Sequence, residues 1–212
     1  MISPYLTVLI LSYNGKHLLE ESISSYLLND YLDFSVIVID NGSTDGTKEW
    51  VEKNFPEVYV LRTEKNLGYS GGLNLGLDYA FRKRNSDYVV ITNNDVKADS
   101  KMISELVKIA ETDNKIGFVT GKVYYYDNPG IFQTVGYKEE DKTGDVSHIG
   151  RGEADTGQYD FVRELPSSDD IFMLVSKQVY TVVGGYDINF QFQCEQRDWQ
   201  ERAKKKGFKI FY

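Results

Sequence analysis

Between residues 5 and 126 short apolar runs alternate with amphipathic stretches, and this alternation limits the open folds more than any other feature. A run such as "VIVID" at 36–40 has no polar face, so it suits a strand covered on both sides, as in a parallel sheet flanked by helices. Strands are expected at 5–13, 35–40, 58–62, 87–92 and 116–125. The first intervening segment carries Leu18, Leu19, Ile23, Tyr26 and Leu27 at helical spacing; the second opens on a Ser43/Thr44/Asp45 cap and buries Trp50 and Val51. A third helix is expected over 71–84, and a fourth from Ser100 turns Met102, Ile103, Leu106, Val107 and Ile109 inward. The result is an α/β fold with a mostly parallel central sheet. After Tyr126 the chain turns rich in Gly, Asp and Glu, which reads as a loop-and-hairpin insertion, β-prone at 131–137, of the kind that carries function. Periodicity returns with a strand near 170–175, helices near 177–183 and 195–206, and a last strand in "GFKIFY".

With 212 residues, 41% of them hydrophobic, the chain is expected to form one domain over 1–212. A net charge of -8 argues against a nucleic-acid partner, which selects basic faces. The single cysteine, Cys194, excludes an internal disulfide and a thiolate zinc cluster, and reads as a semi-buried filler in a reducing compartment. "MISPYLTVLILSYN" lacks a basic leader, and no apolar stretch reaches the roughly 20 residues that span a bilayer, so a soluble, cytoplasmic chain is expected. Ending on an apolar strand, the chain reads as the front part of something longer.

In an open parallel sheet ligands bind beyond the carboxyl ends of the strands, and three strands end alike in polar residues. The first ends in Ser12, Tyr13 and Asn14, the second in Asp40, Asn41 and Gly42, the fourth in Asn93, Asn94 and Asp95. A carboxylate at such a rim must be hydrated or bound; for Asp40 and Asp95 a shared ligand is the better reading, for Ser43 and Thr44 a helix cap. "EKNLGYSGGLNLG" is glycine-dense where chain and ligand approach, but it lacks the order G-x-G-x-x-G and follows the third strand, which disfavours a dinucleotide oxidoreductase.

"TVLILSYN", "VIVIDNGSTDGT", "NLGYSGGLNLG" and "VVITNNDV", in this order, resemble the inverting family 2 glycosyltransferases of GT-A fold, rhamnosyltransferase-like branch. "VVGGYDINFQFQCEQRDWQERAKKKGFKI" resembles that family's second signature, matching at Trp199, Arg202 and Gly207. The resemblance implies a GT-A, Rossmann-like sheet with a β-rich acceptor-side insertion. Its nucleotide-sugar-binding half would lie at 1–126 and its acceptor and catalytic half, truncated at the C-terminus, at 127–212. It implies transfer of a sugar, with inversion, from a UDP- or dTDP-sugar to a hydroxyl of a polysaccharide or glycolipid. Ser12, Tyr13, Asn14, Asp40, Asn41, Asn66 and Gly68 would then line the donor pocket, Asp40 reading base or ribose. Asn94 and Asp95 occupy the family's D-x-D segment, where Asp95 would hold Mg²⁺ or Mn²⁺ against the diphosphate.

Inverting transfer needs a base for the acceptor proton. Glu195, Asp198 and Arg202 lie at i, i+3 and i+7 on one helix, and the resemblance favours function over a solvated stripe. The acid that many relatives carry after the glutamate is here Gln196, so either Glu195 or Asp198 serves, or the chain is a non-catalytic nucleotide-sugar-binding module, which is the alternative. Asp169 and Asp170 in "SSDDIFM" either contact acceptor or cap a strand. Tyr124, Tyr125, Tyr126, Phe190 and Phe192 form an acceptor platform or core. His17 and His148 read as surface or capping residues. Lys204, Lys205 and Lys206 read as a solvated helix end, with peripheral contact to the inner membrane face as the other use of the run.

Overall fold

A computed structural model of the chain describes residues 3–139, 147–190 and 194–212. Its spine is an eight-stranded sheet. β1 (Leu6–Ser12) lies at the centre, with β2 (Phe34–Asp40) and then β3 (Tyr59–Arg62) on one side and β4 (Tyr88–Asn93) on the other, all parallel. Beyond β4 the order runs through three elements from later in the chain and one from the middle. If β5 is Ile116–Val119, β6 Val123–Tyr125, β7 Asn128–Thr134, β8 Glu164–Leu165, β9 Phe172–Ser176 and β10 Lys209–Phe211, the sheet reads β3-β2-β1-β4-β9-β5-β10-β8. β9 runs antiparallel to both neighbours, β10 parallel to β5, and β8 antiparallel to β10 at the edge. The expected α/β class and mainly parallel sheet are therefore present.

Both faces of the sheet are covered, and the period of two along each strand assigns residues to faces. In β1, Leu6, Val8 and Ile10 pack with Leu19, Ile23 and Tyr26 of α1 (Lys16–Leu27). Val51 of α2 (Thr47–Asn54) also packs on that face, whereas Leu9 faces Leu73 and Leu77 of α3 (Gly68–Asp78). Ile103, Leu106 and Val107 of α4 (Met102–Ala110) close the first face. Val179 of α5 (Lys177–Val183) and Trp199 and Ala203 of α6 (Glu195–Lys204) close the second. Trp199 is fully buried, edge-on to Phe118 with centroids 5.3 Å apart, and its Nε1 donates to Gly184 O at 2.7 Å.

Three expectations change. The strand expected at 116–125 divides: Thr120 N donates to Phe211 O, and the chain then leaves the sheet to pair β6 with β7 in a separate hairpin. The third helix starts earlier, at Gly68, and passes into a π-helical turn, Tyr79–Lys83. The insertion is also less of a loop than its composition suggests, because Phe132, Val135 and Ile149 are buried in the second core. Among the aromatic candidates, Tyr124 stacks on the buried Phe132 at 5.1 Å and Tyr126 is exposed, while Phe192 lies outside the described residues. Among those residues no helix is long and apolar enough to cross a membrane, and Lys204 is spent on Pro166 O and Glu201.

Candidate active site

Parallel pairing without a register shift brings the ends of β2, β1 and β4 to one level: Ser12 lies opposite Asp40, and Leu11 opposite Asn93. Hydrogen bonds link several of the polar residues at this rim. Asn94 Nδ2 donates to Ser12 Oγ at 3.1 Å. Asn14, in the left-handed region at φ 51°, donates its N–H to Ser43 Oγ and accepts from Thr44 N at 2.8 Å. Ser43 and Thr44 thus tie the first strand end to the second instead of capping the helix. Asp45, one residue before the Gly46 N-cap, accepts from Thr47 N at 3.1 Å.

Asp40 is fully buried. Its Oδ1 accepts from Ser43 N at 2.9 Å and its Oδ2 faces Arg62 Nη1 at 3.2 Å, while Arg62 Nη2 also holds Ser43 O. Asn41, 2% exposed, donates to Asn66 Oδ1 and Gly68 O and accepts from Leu67 N. Both side chains are committed inside the protein, where they shape the rim. Tyr13, Asn14, Asn66, Gly68 and Asp95 are the exposed members of the set. Asp95 makes no side-chain hydrogen bond or ion pair among the described residues.

The turn after Asp40 depends on glycine. Gly42 has φ +79°, and a Cβ there would lie 2.5 Å from Lys65 C and 2.6 Å from Asn66 N, both backbone. Gly42→Ala is expected to lower stability by roughly 2 kcal/mol or more, from left-handed strain plus displacement of that connection. A shift of the urea midpoint at unchanged slope measures it, and no shift would contradict this account.

Beside Asn93 the rim opens into a cleft of about 480 Å³. Asp169, Asp170 and Glu195 line it, together with Tyr69, Tyr137 and His148, and with Cys194, Gln196 and Arg197 at the start of α6. Glu195 is 5% exposed and its Oε2 has no hydrogen-bond partner among the described residues. Asp170 accepts from Tyr186 Oη at 2.8 Å and from Tyr69. Burial pushes its carboxyl up to about 6 against those two donors, with Glu195 and Asp169 adding to the rise. Burial, with Asp170 second, also holds the phenols of Tyr69 and Tyr186 well above their usual range, so both remain donors.

The raised Asp170 carboxyl has a consequence for stability. Between about pH 4 and pH 6 the folded chain keeps a proton that the unfolded chain has released, so stability falls as pH rises through this window. Asp170→Asn is expected to stabilise the fold by on the order of 2 kcal/mol at pH 8 and hardly at all at pH 4. Urea denaturation at the two pH values tests this; a gain confined to pH 4 would refute it.

Asp198 and Arg202 share a helix with Glu195 but do not line the cleft. Asp198 Oδ2 accepts from Arg202 Nε at 2.7 Å, and Arg202 donates onward to Val183 O and Gly185 O, clamping the glycine turn after α5. His148, expected at the surface, instead lines the cleft with Nδ1 2.9 Å from Thr134 Oγ1 and its ring 4.5 Å from that of Tyr137. Its placement depends on the bridge Tyr137↔His148, which no local pattern announces. Cys194, expected as a semi-buried filler, is exposed at the helix start with φ 68°. Gln200, absent from the sequence candidates and fully buried, accepts from Ser168 N and donates to Ser168 O, which fixes the segment that presents Asp169.

Among the described residues no group of three or more acids, histidines or cysteines is arranged to hold a metal ion. The uncommitted carboxylate of Asp95 fits the other mode for a hard divalent cation, in which one or two carboxylates share it with a ligand's phosphate oxygens.

Residues 7–153 match the family model described as Glycosyl transferase family 2. The chain is 22% identical over 97% of its length to a low-salt glycan biosynthesis hexosyltransferase of Haloferax volcanii. It is 24% identical over 98% of its length to a poly-beta-1,6-N-acetyl-D-glucosamine synthase of Staphylococcus aureus. Among solved structures, a mannosyltransferase of Pyrobaculum calidifontis in complex with GDP-Man and Mn²⁺ superposes over 99% of the chain with a TM-score of 0.67 at 20% identity. The chain spans 63%, 47% and 55% of these three proteins' own lengths.

Proposed function

The chain belongs to glycosyl transferase family 2, and on that footing we propose that it transfers a sugar, with inversion, from a UDP- or dTDP-sugar to a hydroxyl of a polysaccharide or glycolipid. Membership of the rhamnosyltransferase-like branch and a cytoplasmic site of action are part of the same reading. The carrying observation is Glu195: a nearly buried carboxylate with an unpartnered oxygen, on a cleft that continues the rim where Asn93 ends β4.

On the donor side, Ser12, Tyr13, Asn14, Asn66 and Gly68 contact the nucleotide, with the exposed ring of Tyr13 available to stack on the base. Asp40 and Asn41 act through their neighbours, holding Ser43, Arg62 and Leu67 in place. Asp95 would hold a Mg²⁺ or Mn²⁺, which when bound would supply charge neutralisation for the departing nucleoside diphosphate. On the acceptor side, Glu195 takes the hydroxyl proton as that oxygen bonds the anomeric carbon and the bond to the diphosphate breaks on the opposite face. Asp198, already bonded to Arg202, supports the helix and the glycine turn. No membrane contact is needed for this chemistry.

The complex of the Pyrobaculum protein with GDP-Man and Mn²⁺ supports a metal-assisted nucleotide-sugar reaction on this fold and makes the base the open variable. Release of nucleoside diphosphate from a panel of UDP-, dTDP- and GDP-sugars with Mn²⁺ tests the reading. Turnover of a UDP- or dTDP-sugar is expected. Turnover of a GDP-sugar alone would overturn the base assignment, and binding without turnover of any donor would favour the non-catalytic module.

A further inference from the structure

The cleft holds more uncommitted negative charge than one proton transfer uses. Asp169 and Asp170 line it beside Glu195, against His148 and Arg197, which has a contact of its own. Glu195 Oε2 and Asp169 Oδ2 are both buried without a hydrogen-bond partner among the described residues. Oδ2 of Asp169 does lie 3.3 Å from His148 Nδ1, but that nitrogen is closer to Thr134 Oγ1, at 2.9 Å, and Oδ2 makes no hydrogen bond among the described residues. Its other oxygen accepts from Tyr137, and Asp170 is occupied by Tyr69 and Tyr186.

Buried acceptor atoms without donors cost free energy until a ligand supplies O–H or N–H groups, and like charge brought against them is repelled. Tyr69 and Tyr137 add flat apolar faces of the kind that pack against the C–H face of a sugar ring. We infer that the acceptor ring entering this cleft is neutral or amine-bearing, donates hydroxyl or ammonium hydrogens to Asp169, and is excluded when it carries a uronate carboxylate. The inference rests on the transferase reading and specifies its acceptor; Asp169 is its specificity-determining residue.

Saturation-transfer NMR on the full chain with UDP or dTDP and Mn²⁺ can compare methyl glycosides of glucose, glucosamine and glucuronic acid. The first two are expected to bind, and the glucuronide at least about tenfold more weakly. Asp169→Asn, which keeps the side-chain shape, is expected to narrow that ratio several-fold; the wild-type comparison stands even where the variant folds poorly. A glucuronide bound as well as the glucosaminide, binding of none of the three, or a ratio unmoved by a folded Asp169→Asn protein would overturn the inference. A nucleotide titration without sugar separates the two readings: loss of nucleotide binding sinks the transferase proposal, whereas nucleotide binding with a glucuronide preference sinks only this one.

Discussion

Replacing Glu195 by glutamine is expected to leave nucleotide binding intact and to lower sugar transfer by roughly 10²- to 10⁴-fold, the range for a lost general base. The amide has the size and shape of the acid, so the cleft walls formed by Tyr69 and Asp170 need not move. The change removes a buried acceptor that can take a proton without a competing partner, since Oε2 of Glu195 is unpartnered among the described residues. Asp198→Asn gives the contrast. That carboxylate is bonded to Arg202, which also holds two carbonyls of the glycine turn, so its loss is expected to show in thermal stability and only weakly in turnover. Initial rates of nucleoside diphosphate release, with nucleotide affinity measured separately by titration calorimetry, distinguish the two. If Glu195→Gln keeps wild-type turnover while Asp198→Asn abolishes it in a folded protein, the roles are reversed.

This contrast shows how far the sequence carries. A spacing of i, i+3 and i+7 puts Glu195, Asp198 and Arg202 on adjacent turns, but it does not tell which neighbour each one meets. The helix start meets the cleft, whereas a turn further on the same face meets the loop at Val183 and Gly185. The strand ends were readable for a simpler reason. A strand with no polar face must be covered on both sides, so polar residues at its carboxyl end mark where the cover stops. Ser12, Asp40 and Asn93 reach one level because parallel strands in register have no other place to put them.

The role of Asp40 was hidden because its partner comes from another strand: Arg62 stands opposite it in the β2–β3 register, 22 residues away in the chain. Here its carboxylate braces the rim from inside, accepting from Ser43 N and Arg62, and the exposed surface belongs to its neighbours. His148 and Gln200 follow the same logic. Each reaches its position through tertiary pairing, a bridge to Tyr137 in one case and a bond pair with Ser168 in the other, and neither has a local periodicity that would single it out. The division of 116–125 at Thr120 was equally unreadable, since both halves are β-prone and only their partners differ.

The brace and the exposed acid make opposite predictions when removed, and Asp95 gives the larger functional effect. Asp95→Ala deletes an exposed carboxylate with no partner among the described residues, so the fold is expected to keep its melting temperature to within a degree or two. Under the proposed function it would remove the carboxylate that holds the cation, and with it part of the neutralisation of diphosphate charge. Loss of one such preorganised charge contact is worth on the order of 10²- to 10³-fold in rate. In titration with UDP or dTDP, Mn²⁺ is expected to strengthen binding to the wild-type chain and to add little for the variant. Asp40→Ala should behave the other way, losing stability first because Ser43 N and Arg62 lose their shared acceptor. Nucleotide binding that is insensitive to Mn²⁺ in the wild type and unchanged by Asp95→Ala would mean that the exposed rim carboxylate takes no part in holding the donor. The donor side would then rest on the asparagines and backbone of the β1 and β3 connections alone.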